Sequence, residues 1–172
     1  AARGAQRRAR GAVQGREGEQ QTTTFFRIVT PGYLETMGVP LRQGRLYTEA
    51  DLTADTSAFV IVVNEALARK YFPGENALGR RIATGFGRWA EIVGIVGDVA
   101  EGDLTGERGP ARYNLYTQVG WTAEGQTLVL RTRNADASTV LEAARRTVQR
   151  VAPGMAVQEA TTLQRVFDRA VG

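Results

Sequence analysis

Four carboxylates, Asp98, Glu101, Asp103 and Glu107, fall within one ten-residue stretch, the oxygen-rich kind of segment that calcium or magnesium uses. Their spacing does not follow the EF-hand loop, and Arg108 and Arg112 are near enough in sequence to neutralise part of the charge. A solvated acidic loop is the plainer reading. The alternative is a carboxylate-based divalent-metal-dependent enzyme or metal-binding module built on Asp98, Glu101 and Asp103. Glu49, Asp51 and Asp55 surround a capping turn, and nothing else in the chain supports paired-carboxylate catalysis by them. Lys70, the single lysine, lies in an expected helix and reads as a surface residue rather than a nucleophile with a depressed pKa. Trp89 and Trp121 stand at expected strand ends, which suits a core margin better than a stacking platform.

Gly94-Ile95-Val96-Gly97 has the glycines of a phosphate-binding turn but neither the third glycine nor the helix that must follow directly. Strand bulges or close backbone approaches account for those glycines. No GxxxxGK[ST] pattern occurs, so ATP hydrolysis by this chain is not expected. With no His and no Cys, the chain also lacks imidazole bases, thiol nucleophiles, disulfides and Cys/His zinc sites. Carboxylates, arginine, tyrosine and Lys70 are what any catalysis would have to use. No catalytic set, metal site or cofactor is expected.

The net charge of +4 over 172 residues is unevenly spread. Arg3, Arg7, Arg8, Arg10 and Arg16 against Glu17 and Glu19 put +3 in residues 1–20. A basic tail can bind nucleic acid, but no aromatic residue interleaves these arginines, so a solvated lead-in is preferred and no nucleic-acid partner is expected. No apolar run approaches the ~20 residues of a membrane helix. The first residues carry neither an initiating Met nor a signal-peptide pattern, which reads as a piece of a longer chain.

The elements that would position these groups are clearest from 59 to 82. Phe59-Val60-Ile61-Val62-Val63 is an apolar run of strand length, suited to burial on both faces. Asn64 can cap the helix that follows, Glu65 complements its dipole, and Pro73-Gly74 stops it. Upstream, 1–24 reads as mostly loop, with Ala12-Val13-Gln14-Gly15 open to being a strand remnant, and 25–29 as a short strand. Thr30 and Pro31 are expected to open a helix that Gly38 closes. Thr48 and Asp51 are spaced to cap each other's backbone groups. Downstream, 89–99 reads as a strand interrupted by glycines, 111–119 as an extended stretch and 126–133 as a strand. Asp136 should cap a helix with the stripe Val140, Leu141, Ala144, Val148 and Val151, ended by Pro153-Gly154. A short strand over 156–160 and a last helix capped by Thr162 complete a strand–helix–strand–helix order.

Three segments together resemble one family. They are Val29-Thr30-Pro31-Gly32-Tyr33-Leu34-Glu35-Thr36-Met37-Gly38 through Gly44-Arg45, then Val62-Val63-Asn64-Glu65-Ala66-Leu67-Ala68 through Tyr71-Phe72-Pro73-Gly74-Glu75 and Leu78-Gly79-Arg80-Arg81-Ile82, and Glu91-Ile92-Val93-Gly94-Ile95-Val96-Gly97-Asp98-Val99. In this order they resemble the MacB-like periplasmic core domain of MacB/FtsX-type ABC transporter permeases. The likeness implies an α+β fold, a βαβ porter-like subdomain with an inserted mixed α/β subdomain. On that basis 1–24 is a basic flexible lead-in, 25–118 the mixed α/β region, and 119–172 a βαβ-type porter-like region leading toward a membrane helix. An upstream strand–helix segment is also implied, and 1–24 matches it poorly. The resemblance further implies a non-catalytic extracytoplasmic domain, periplasmic and anchored through membrane helices. Its expected partners are a cytoplasmic ATPase subunit or domain and a cargo or periplasmic adaptor, in efflux, lipoprotein or cell-envelope processes.

Overall fold

The computed structural model describes residues 7–16, 22–52, 59–84, 88–100, 108–119, 125–133 and 136–171. They fall into two compact units, 5–129 and a second that contains 130–172.

The first unit is built on a mixed seven-stranded sheet. In chain order its elements are β1 (Arg7–Gly11), β2 (Thr22–Val29), α1 (Tyr33–Met37), β3 (Leu41–Gly44), β4 (Val60–Asn64), α2 (Glu65–Tyr71), β5 (Arg81–Ala83), β6 (Trp89–Val96) and β7 (Ala111–Leu115). The strands run in the order β1-β2-β7-β4-β6-β3, with β5 also on β6. β2 lies parallel to β7 and β4 parallel to β6, while β4 and β7 pair antiparallel at the centre. The apolar run before Asn64 is buried on both faces, as its composition requires. Ile61 and Val63 enter one core with Leu67, Phe72, Ile82 and Ile92, whereas Val62 enters the other with Leu34, Tyr47, Tyr113 and Leu115. Each such side chain contributes about 1.5–3 kcal/mol on burial, an upper bound because the unfolded chain is already partly compact.

Two local expectations change. The basic lead-in is not all loop: β1 pairs antiparallel with β2, and Val13 bridges to Ile82. The signal for that pairing lies in the partner, since Thr22 to Val29 is rich in Thr, Phe, Ile and Val while β1 itself is arginine-rich. At α1 the turn Pro31-Gly32 precedes the helix and Gly32 is the N-cap, with no side-chain cap from Thr30. Gly38 closes α1 as expected, its N–H returning to Glu35 and Leu34.

In the second unit, α3 (Ala137–Val151) is capped by Asp136, which accepts from the Thr139 N–H at 2.9 Å. α4 (Leu163–Val171) follows Thr162, whose Oγ1 accepts from the Arg165 N–H at 3.3 Å. The segments 126–133 and 156–160 carry no ladder among the described residues. A strand needs a neighbour for its N–H and C=O groups, and β-propensity alone does not supply one. No helix among the described residues is long and apolar enough to cross a membrane.

Candidate functional site

Asn64 stands where β4 becomes α2, and its side chain is fully buried. Its Oδ1 accepts from the Leu67 N–H at 3.0 Å, which is the expected cap. The same oxygen accepts from the Ala111 N–H at 2.8 Å, and Nδ2 donates to the Gly109 carbonyl at 2.9 Å. One amide therefore caps a helix and ties it to the entry of β7. Asp98 completes the helix start: its Oδ1 accepts from the Ala66 N–H at 2.7 Å and its Oδ2 from Arg69 at 2.6 Å. The carboxylate that the sequence places in an acidic loop is thus a second cap on α2. Its role follows from the parallel β4–β6 register, which sets Asn64 beside Val96. Glu101, Asp103 and Glu107 lie outside the described residues.

Asp51 is likewise committed. Arg45 grips it with two hydrogen bonds, at 2.7 and 2.9 Å, and the Thr48 N–H and Oγ1 donate to it at 2.8 and 3.1 Å. The Arg45 guanidinium, with the Thr48 donors behind it, holds this carboxyl below its ordinary value. The clamp's contribution is present above the ordinary pKa of 3.8 and is lost as pH falls through the lower folded value. Asp51→Asn should cost about 1–2 kcal/mol near neutrality, because Arg45 is half in water and screened, and the deficit should vanish in acid. Urea titrations of both proteins, followed by tryptophan fluorescence, test this; a deficit that persists below the folded pKa would count against the clamp. Glu49 is exposed and Asp55 is outside the described residues.

Between these ties sits Tyr47, whose part the sequence does not announce. Its hydroxyl donates to the Tyr113 carbonyl at 2.6 Å and accepts from the Val62 N–H at 3.0 Å, inserting itself between β4 and β7. Burial pushes its pKa up. Arg112 is buried, and its Nη1 donates to the Ala83 carbonyl at 2.6 Å. Burial pulls its guanidinium down to about 10, so it stays charged at neutral pH.

The glycines of 94–97 are a backbone crossing. Gly44 pairs with Gly94, the β4–β6 register slips beside it, and the Arg45 N–H donates to the Val93 carbonyl at 2.9 Å. Gly97 donates its N–H to Pro40, and no helix opens there to receive a phosphate. Lys70 is exposed near the end of α2, and Trp89 is half-buried at the start of β6. Trp121 lies outside the described residues. Among the described residues no three His, Cys, Asp or Glu side chains gather to hold a metal.

Exposed chemistry concentrates in the second unit. Leu130, Val151, Met155, Leu163, Val166 and Phe167 are large apolar side chains left in solvent. Arg145, Arg146 and Arg150 on α3 are also exposed. Helical periodicity marks a stripe on α3 in the sequence but not whether it is covered.

A family model described as the MacB-like periplasmic core domain matches residues 2–162. A curated protein, the macrolide export ATP-binding/permease protein MacB of Aggregatibacter actinomycetemcomitans, is 34% identical over 85 residues, which is 49% of this chain and 12% of that protein. The crystal structure of the periplasmic region of MacB from Actinobacillus actinomycetemcomitans superposes with a TM-score of 0.61 at 20% identity, covering 84% of this chain and 63% of that one. The extracellular domain of the noncanonic ABC-type transporter YknZ from Gram-positive bacteria gives 0.50 at 18% identity, over 67% and 53% of the two chains. This chain thus spans a small fraction of the curated relative and less than two thirds of either solved neighbour.

Proposed function

The chain belongs to the MacB-like periplasmic core domain family, an extracytoplasmic domain class, and from that membership we propose that it serves an ABC transporter permease as a non-catalytic relay. In this reading a cytoplasmic ATPase subunit or domain drives membrane helices, and this domain passes their motion to a cargo or a periplasmic adaptor. The observation that carries the proposal is where the shared motifs point. Asn64 and Asp98 spend their polar atoms on holding α2 to the sheet, and the glycine pair spends its space on a backbone crossing. Such a block transmits force as one body and offers no reacting group. One architecture serves several cargoes, so fold alone does not choose among them.

The test uses the permease that carries this domain, expressed with its ATPase in an efflux-deficient bacterium. Replacing the domain by a short Gly/Ser linker should leave ATP hydrolysis in isolated membranes and abolish export. Macrolide resistance is the first readout, because macrolide export is what the curated relative's name states. Export that survives removal of the domain, or ATP hydrolysis by the isolated chain, would overturn the reading.

A further inference from the structure

α4 presents Leu163, Val166 and Phe167 at positions i, i+3 and i+4, one face of a helix, and they are 64%, 41% and 47% exposed. Single exposed apolar residues are ordinary, but three adjacent ones on one helix face form a patch that wants a cover. The polar side of α4 is already engaged: Gln164 donates to Asp168 at 2.8 Å, and Arg169 donates to Glu159 of its own unit at 3.2 Å.

Charge indicates the cover. Residues 130–172 carry seven arginines against four carboxylates, whereas 5–129 carries fourteen basic against fourteen acidic groups. The unit bearing the apolar stripe is therefore the positive one, and three of its arginines, Arg145, Arg146 and Arg150, are exposed on α3. An apolar helix face on a net-positive unit fits the interface of an anionic bilayer. Two copies meeting through the same patch would bring like charge together.

We propose that α4 docks its Leu163–Val166–Phe167 face on anionic phospholipid headgroups, with the positive charge of its unit as the second attractive signal. The proposal rests on the reading of the chain as part of a permease, which holds the domain beside a bilayer. A helix of nine residues is about 14 Å long, so the contact is weak and reversible by itself and gains from that enforced proximity. Its consequence is a footing: the relay would lean on the membrane surface as well as hang from it.

Because the chain has no cysteine, a single Val166→Cys substitution takes an environment-sensitive NBD label at one known place. Mixed with phosphatidylglycerol/phosphatidylcholine vesicles, the labelled chain should brighten and shift to the blue. It should not respond to phosphatidylcholine alone, and about 1 M salt, where the Debye length falls to ~3 Å, should reverse the effect. The same label at Asp168→Cys, on the polar side, should respond little. The Leu163→Ser/Phe167→Ser variant should bind at least about tenfold more weakly with its circular dichroism unchanged.

No response at Val166→Cys on anionic vesicles, or an equal response at Asp168→Cys, would overturn the contact. So would a response that grows with protein concentration without lipid, which would mean a second copy, or one elicited by soluble polyglutamate, which would mean an acidic protein. A silent vesicle assay with export still dependent on the domain would remove the lipid contact and leave the relay reading standing.

Discussion

Replacing Asn64 with alanine is expected to destabilise the 5–129 unit by about 3–5 kcal/mol, a large part of the 5–15 kcal/mol that holds a typical domain folded. The side chain is fully buried and makes three hydrogen bonds, to Leu67, Ala111 and Gly109. Alanine removes all three together, leaving two buried backbone donors and the carbonyl of half-buried Gly109 without this partner. An unpaired buried group costs about 1–3 kcal/mol. Ordinary cap removal costs about 1 kcal/mol, so the excess measures the tie from α2 to the entry of β7. Asn64→Asp separates the two roles. It keeps the accepting oxygen but turns a donor into an oxygen facing the Gly109 carbonyl. A carboxylate there is desolvated and repelled, so its folded pKa rises above the ordinary value. The variant should be markedly unstable at neutral pH and recover as pH falls and the carboxyl regains a proton to donate. Urea denaturation followed through Trp89 in β6 measures both effects. A neutral-pH stability of Asn64→Asp equal to that of the parent would contradict the geometry.

The same residue shows what the sequence makes legible. A polar residue after five apolar ones, followed by Glu65 and ended by Pro73-Gly74, announces a capped helix because those effects are local. The α3 cap at Asp136 and the Gly38 stop were readable for the same reason. Asp98 was not. Its assignment as a cap needs the β4–β6 register, and register depends on contacts between residues far apart in sequence. β1 is not legible because an arginine-rich edge strand has little propensity of its own and is held by β2. The three-residue β5 is too short to show a period. Tyr47 and Arg112 look like an ordinary aromatic and an ordinary surface cation until the sheet closes over them. The last helix and its Thr162 cap are legible, but the exposure of Leu163, Val166 and Phe167 is a property of the folded surface, so a docking face on α4 is not.

Gly94→Ala should cost about 3 kcal/mol or more, at the upper end of what overpacking does. A Cβ built on Gly94 would lie 2.1 Å from the Arg45 carbonyl oxygen, and one on Gly44 would lie 2.2 Å from the Val93 carbonyl oxygen. Both obstacles are backbone, so no side-chain rotation relieves them. Relief requires β3 to move off β6, and the cost then spreads: the bond from the Arg45 N–H to Val93 is lost, and with it the anchor from which Arg45 clamps Asp51. Gly74 is the control. It has φ +75° but open space around its missing Cβ, so Gly74→Ala should cost only about 1 kcal/mol, the strain of a left-handed backbone. Hydrogen exchange distinguishes a local from a global effect. In Gly94→Ala the amides of β3 and of residues 45–52 should lose protection before those of β4 and β7, which pair at the sheet centre. A Gly94→Ala protein as stable as Gly74→Ala would mean that the strands do not cross so closely. With the crossing this tight, the edge strand, the Arg45–Asp51 clamp and the central sheet are tied into one body, as the proposed relay requires.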